Sequence, residues 1–301
     1  MTDPKVIKAI VLDVDGTLLN SKSELTPRTE AALKAVQEKE IPIILATGKT
    51  RNSTDHLIEK LNLKGYGVYL QGAAIYDPEG NIVHQETLDP DLLRRVITYA
   101  DDRGFEILIY SGRRIIGRAQ SKALEDATVR YHEPLPESVG PLANIIGTIP
   151  VHKIMFVGDP RAVTSLRWQL NLQLGGQARL IQAGLPNMLE VLAPGAGKGA
   201  GVKTLLKDLK ISHEHVMAIG DAENDIEMLK LAGSGVAMGQ SEKAVKDAAD
   251  HVTGTNDEDG AAQAIEQYLL KKDEKPAEPA ASADGASAAK EIAVPAKEQS
   301  A

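Results

Sequence analysis

The sequence predicts an α/β fold in which a parallel-sheet domain is interrupted by a mixed α/β block. Three observations predict it. Short β-branched apolar runs alternate with helical segments from residue 6 to residue 70. The same alternation returns after residue 188, and the stretch between them opens on a hairpin rather than a crossover.

Residues 6–14 form a short apolar run ending at Asp-Gly, as expected of a strand buried on both faces. Thr26-Pro27, with Glu30 close behind, offers an N-cap and an N1 proline to a helix reaching about residue 38. A second buried strand over 41–46, a polar helix over 52–61 and a strand over 68–70 complete the first β-α-β series. Residues 73–76 and 82–86 flank the turn Asp77-Pro78-Glu79-Gly80-Asn81 and read as a hairpin. A helix over 92–102 and a strand over 106–110 follow, then a stretch to Pro150 with no clear pattern. After it come a strand over 152–157, a helix over 162–172 and a strand over 179–182. The parallel grammar resumes with strands over 189–192, 216–219 and 235–238, and helices over 199–209, 225–231, 242–249 and 261–270. The expected borders of the inserted block are therefore about 82 and 187. From Lys271 the chain turns into a Pro/Ala/Ser/Glu/Lys segment without apolar periodicity, so residues 271–301 are expected to be disordered.

At 301 residues the chain has room for about two domains at roughly 150 residues each. It carries 42 acidic and 34 basic side chains, a net charge of −8. An acidic chain gains nothing from displacing counterions on a phosphate backbone, which argues against nucleic acid as a partner. One Trp, seven Tyr and two Phe are too few for a base-stacking platform. The absence of cysteine excludes disulfides, thiolate zinc sites, iron–sulfur clusters and a Cys nucleophile. No apolar window is long enough to span a membrane, and residues 6–14, broken by Lys8 and Asp13, do not make a secretory signal. A cytoplasmic protein without membrane contact is expected.

The candidate chemistry lies where the strands end. Asp13-Val14-Asp15-Gly16-Thr17 sets two carboxylates two residues apart, which on a strand places them on one side. Crowded carboxylates repel unless a cation intervenes, and oxygen-only ligands suit Mg²⁺. Asp-Gly is also ordinary turn chemistry, so this pair alone leaves both readings open. Three more strand ends favour the first. Thr47-Gly48-Lys49 supplies a hydroxyl, a closely approachable backbone and a cation. Lys198 stands at a helix start, where backbone N–H groups also favour anions. Gly220-Asp221-Ala222-Glu223-Asn224-Asp225 is rich in oxygen ligands. Each has a dull explanation alone; four at one edge of one sheet do not.

Together, Asp13-x-Asp15-Gly16-Thr17, Thr47-Gly48, Lys198 and Gly220-Asp221-x-x-Asn224-Asp225 resemble the four motifs, in order, of haloacid dehalogenase superfamily phosphatases. The large insert between the second and third resembles the Cof-type subgroup. The resemblance covers about residues 5–270. It implies a doubly wound, Rossmann-like parallel-sheet core (1–81 and 188–270) with an inserted mixed α/β cap (82–187). It implies Mg²⁺-dependent hydrolysis of small organic phosphate monoesters, of a sugar, a nucleotide or a cofactor pathway, through an aspartyl-phosphate. By that resemblance Asp13 is the nucleophile and Asp15 the acid and base. Thr47, Gly48, Lys198 and Asn224 hold the phosphoryl oxygens. Asp13, the Asp15 carbonyl and Asp221 hold Mg²⁺, with Asp225 in support.

Two departures stand out from that pattern. Lys49 replaces the commoner arginine and loses its guanidinium fork, and Gln71-Gly72 stands where Asn-Gly is frequent. The rival readings are few. Residues 195–200 also fit a dinucleotide fingerprint, with Asp221 in the ribose-binding position, but that leaves Asp13, Asp15 and Thr47 without a role. A Walker loop fails because Gly199 follows Lys198. A phosphomutase acting on sugar phosphates and a binding protein without turnover share the same motifs. The cap arginines Arg113, Arg114 and Arg118 make a positive cluster expected to be a solvated strand face, with leaving-group recognition as the sharper alternative. His213 and His215 are expected at the surface, since no zinc pattern accompanies them.

Overall fold

The computed structural model describes residues 6–182 and 186–270, so the expected tail lies outside the described residues. The first half runs β1 (Ala9–Leu12), α1 (Pro27–Glu38), β2 (Ile43–Ala46), α2 (Asp55–Lys60), β3 (Gly67–Tyr69), β4 (Ala74–Tyr76) and β5 (Ile82–Gln85). Helix α1 begins as its sequence dictates, with the Thr26 side chain accepting the Thr29 N–H and Pro27 in the first turn. The middle contains α3 (Pro90–Arg103), β6 (Glu106–Ser111), β7 (Arg114–Gly117), α4 (Lys122–Arg130), β8 (Glu137–Ser138), β9 (Lys153–Val157), α5 (Pro160–Leu174), β10 (Arg179–Ile181) and β11 (Met188–Leu192). The last part contains α6 (Lys198–Asp208), β12 (Val216–Gly220), α7 (Ile226–Leu231), β13 (Ser234–Ala237), α8 (Lys243–Lys246), β14 (His251–Val252) and α9 (Gly260–Ile265).

Two sheets result. The first has the order β14-β13-β12-β1-β2-β3-β4-β5, parallel as far as β3 and antiparallel through the hairpin strands β4 and β5. Alternate residues of its central strands enter different layers. Ile10, Leu12, Ile43, Leu45 and Ile219 pack with α1 and α9, whereas Val11, Ile44, Ala46 and Ala218 pack with α6 and α7. A strand covered on both faces must be apolar throughout, which is why these runs show no alternation. From β1 the chain first builds outward through β2 and β3, then returns to build the other way through β12, β13 and β14. The strand order therefore reverses between β1 and β12, and the crevice beyond the carboxyl ends of those two strands is where such sheets bind ligands.

The second sheet has the order β10-β11-β9-β6-β7-β8 and is antiparallel except for the pair β7–β8. Helices α3 and α5 cover one face through residues such as Val96, Ile97, Leu166 and Leu170. The other face carries Tyr110, Met155 and Met188, and it packs with Tyr69 and Tyr76 of the first sheet.

The sheets correct two expected borders. The strand starting at Ile82 pairs with β4 and so closes the first sheet instead of opening the insert. The strand expected over 189–192 in the parallel domain pairs antiparallel with β9 and β10 in the second sheet. A fully buried five-residue run looks alike in either sheet, so its partners cannot be read locally. The patternless stretch to Pro150 holds β7, β8 and α4, and the helix expected over 242–249 shrinks to α8.

Candidate active site

Asp13 leaves the end of β1 with its N–H donated to the Ile219 carbonyl at 3.0 Å, which ties it to the neighbouring strand β12. The paired strand stops at Leu12, so strand alternation is not what brings Asp13 and Asp15 together. Both line one cavity, and the turn after them packs on the loop after β12: Gly16 takes φ +79°, and a Cβ there would lie 2.5 Å from the Asp221 Oδ2. Only glycine fits both the conformation and the close approach. Thr17 then donates its hydroxyl to Asp221 Oδ1 at 3.2 Å, joining the loop after β1 to the loop after β12.

Lys198 opens α6 with its side chain fully buried. Its Nζ donates to Asp13 Oδ1 at 2.6 Å and to Asp225 Oδ1 at 2.7 Å. The other oxygen of Asp225 accepts the backbone N–H groups of Asp221 and Ala222 at 2.9 and 3.0 Å. Asp225 thus organises both its own loop and the lysine. Asp13, Asp221 and Asp225 each offer an oxygen within 4.8 Å of the others. Burial raises the Asp221 pKa, and the Asp13 and Asp225 charges raise it further. Asp225 is raised as well, by burial first, although Lys198 partly counters it. Burial lowers the Lys198 pKa, but Asp13 and Asp225 outweigh that and hold it above its ordinary value. One ammonium among three carboxylates, two of them buried and Asp221 partly so, leaves the cluster short of positive charge. An oxygen-only set of this kind fits a hard divalent cation such as Mg²⁺.

Thr47 is buried at the end of β2, and its Oγ1 accepts the Lys49 N–H at 3.2 Å. Lys49 makes a single-point ion pair with Asp15 Oδ1 at 2.8 Å. Asn224 donates its amide to Gln71 Oε1 at 2.9 Å. Asp13, Asp15, Thr47, Gly48, Lys198, Asp221 and Asn224 all line one cavity of about 110 Å³, and Asp225 lies just behind it. The structure brings every expected site residue together.

It also adds residues that the sequence reading passed over. The second sheet supplies Tyr110, Lys153, Met155, Met188 and Glu190 to the cavity, and the segment after α4 supplies Tyr131 and Glu133. Glu133 reaches back to the segment between β2 and α2, where its carboxylate accepts the Thr50 N–H at 3.0 Å, the Thr50 hydroxyl at 2.7 Å and the Ser53 hydroxyl at 2.8 Å. Lys153 pairs with Glu190 at 2.6 Å. A single charge inside each of two otherwise apolar strands was the available signal. Gln71, in the left-handed region at φ 59°, donates to Glu190 at 2.8 Å while accepting from Asn224. This departure from the family pattern therefore ties the cap sheet to the loop after β12.

The cap arginines take no part. Arg113 pairs with Asp55, Arg114 with Glu137 and Arg118 with Asp101, and none lines the cavity. Each charge is met by a carboxylate outside the cavity. His213 and His215 also lie outside the cavity, and His215 bonds the Val6 carbonyl. Among the described residues no helix is long and apolar enough to cross a membrane.

Comparison with known proteins agrees with the geometry. The family model for haloacid dehalogenase-like hydrolases matches residues 10–265. The chain is 34% identical over 271 residues to the chloroplastic endoribonuclease YBEY of Arabidopsis thaliana, covering 87% of this chain but only 46% of that relative. It is 31% identical to the HMP-PP phosphatase of Cronobacter sakazakii, over 76% of this chain and 83% of the relative. A solved haloacid dehalogenase-like hydrolase from Bacteroides thetaiotaomicron superposes with a TM-score of 0.79 at 32% identity, covering 86% of this chain and 98% of that one.

Proposed function

The chain belongs to the haloacid dehalogenase-like hydrolases, and on that footing we propose that it is a Mg²⁺-dependent phosphatase of small organic phosphate monoesters. The observation that carries this reading is the convergence of four strand-end loops on one cavity, with Lys198 bridging Asp13 and Asp225. In this reading Asp13 attacks phosphorus as the ester bond breaks, and Asp15 gives its proton to the departing alkoxide. Asp15 then takes a proton from water, whose oxygen displaces Asp13 from phosphorus and releases phosphate. Thr47, the Gly48 amide, Lys198 and Asn224 hold the phosphoryl oxygens and oppose the charge that builds up in each transfer. The Asp13 carboxylate, the Asp15 carbonyl and Asp221 would hold Mg²⁺, with Asp225 in support. When bound, the ion would neutralise phosphoryl charge.

We take the first sheet with its helices as the core and the second sheet with its helices as the cap that excludes water. A relative named for 5-amino-6-(5-phospho-D-ribitylamino)uracil supports the class of small phosphate monoesters. The test is phosphate release over a metabolite panel, with and without Mg²⁺, beside Asp13→Asn. We expect Mg²⁺-dependent release that this substitution abolishes; release that survives it rejects Asp13 as nucleophile. Interconversion of sugar-phosphate isomers without release would instead establish a mutase.

A further inference from the structure

The cap wall of the cavity has an unusual charge arrangement. Strand pairing sets Lys153 opposite Tyr110, and Glu190 opposite Met155, so Lys153 and Glu190 are diagonal neighbours on the face that lines the cavity. Lys153 Nζ donates to Glu190 Oε1 at 2.6 Å and to the Gly48 carbonyl at 2.8 Å, and it lies 4.1 Å from the centre of the Tyr110 ring. Glu190 Oε2 accepts from Gln71 at 2.8 Å. Both side chains are at most 5% exposed. Among the described residues lining the cavity there are three cations, Lys49, Lys153 and Lys198, against five carboxylates. Each of the three cations is already paired with a carboxylate: Lys49 with Asp15, Lys198 with Asp13 and Asp225, Lys153 with Glu190.

We infer that Glu190 determines specificity by neutralising Lys153, the cap's one cation among the described lining residues, so that the site turns away esters whose leaving group carries a second anionic group. The inference rests on the phosphatase reading for its substrate and names the leaving-group chemistry within it. A divalent cation with Thr47, the Gly48 amide, Lys198 and Asn224 can meet one phosphoryl group. A further phosphate or carboxylate would reach a wall whose only ammonium is spent on Glu190 and which carries one more carboxylate, Glu133. Desolvating an anion without a partner is costly, so discrimination comes from what the wall lacks. The favoured leaving group is a neutral or cationic alcohol.

The test compares glycerol 3-phosphate with 3-phosphoglycerate, which differ by one carboxylate in place of a hydroxymethyl group. Binding of both is measured by calorimetry with Mg²⁺ on the full chain carrying Asp13→Asn to prevent turnover. The parent should bind glycerol 3-phosphate more tightly. Adding Glu190→Gln frees the Lys153 charge and should shift the affinity ratio toward 3-phosphoglycerate by roughly tenfold or more. Lys153→Met with Glu190→Gln removes both charges and should return the ratio to within about threefold of the parent. If Glu190→Gln alone does not fold, Lys153→Met alone should move the ratio the other way. A ratio indifferent to these charges, or a parent that prefers 3-phosphoglycerate, overturns the inference. Mg²⁺-dependent hydrolysis of p-nitrophenyl phosphate by the unmodified chain separates this result from failure of the phosphatase reading, because the calorimetric ratio does not require turnover.

Discussion

His152, at the entrance to β9, should make the fold sensitive to mild acid. The ring is fully buried. Its Nδ1 accepts the Gly112 N–H at 3.1 Å, which leaves the proton on Nε2 to be donated to Gln85 Oε1, also at 3.1 Å. The neutral ring is thus satisfied at both nitrogens, and a second proton on Nδ1 would oppose a backbone N–H. Burial pushes its pKa down from 6.5 to about 4. Because the folded value is the lower one, the unfolded chain binds more protons between the two. The stabilisation is complete above pH 6.5 and is lost as pH falls toward 4. A difference of roughly 2.5 units at about 1.4 kcal/mol each corresponds to about 3 kcal/mol in all, of which about 2 kcal/mol should be gone by pH 5. The assay is urea unfolding of the unmodified chain and of His152→Gln between pH 7.5 and 4.5. Subtracting the variant removes the contributions of the other titrating groups. We expect the stability difference between them to shrink steadily below pH 6.5. A difference constant to within about 0.5 kcal/mol over that range would refute a buried neutral imidazole.

Three other outcomes are expected. Lys198→Met strands Asp13 and Asp225 as buried charges, so urea unfolding should register a loss of about 3–5 kcal/mol and phosphate release should fall at least 10²-fold; a variant as stable as the parent would dismiss the bridging role. Gly16→Ala forces a Cβ against Asp221 from a left-handed backbone, and should cost about 1–3 kcal/mol while raising the Mg²⁺ concentration needed for half-maximal activity. Glu133→Ala leaves the Thr50 N–H and the Thr50 and Ser53 hydroxyls short of their acceptor. It should cost about 2–4 kcal/mol, whereas Glu133→Gln, which keeps an acceptor oxygen, should recover part of the loss.

Much of the site was legible because its motifs are local. Asp13 to Thr17, Thr47-Gly48 and Asp221 to Asp225 are each a strand end followed by a turn, and strand ends announce themselves by the abrupt change from apolar to polar residues. Lys198 stood out because a glycine-flanked lysine opens a helix. The cap wall gave no such cue. Lys153 and Glu190 lie 37 positions apart on strands that meet only when the second sheet forms. Met188–Leu192 shows how little a short buried run says about its neighbours: it was expected beside the parallel strands and lies among antiparallel ones.

By itself, then, the order of residues determined what each segment can be and which short loops can carry chemistry, since those depend on torsional preference and neighbours a few positions away. Tertiary structure alone decided which strands share a sheet, and with that which charges face each other across the cavity. The energies of such pairs exist only after long loops have closed, so no short window of sequence contains them. For this chain, the loops along one edge of the cavity were written locally, and the wall opposite them came into being with the fold.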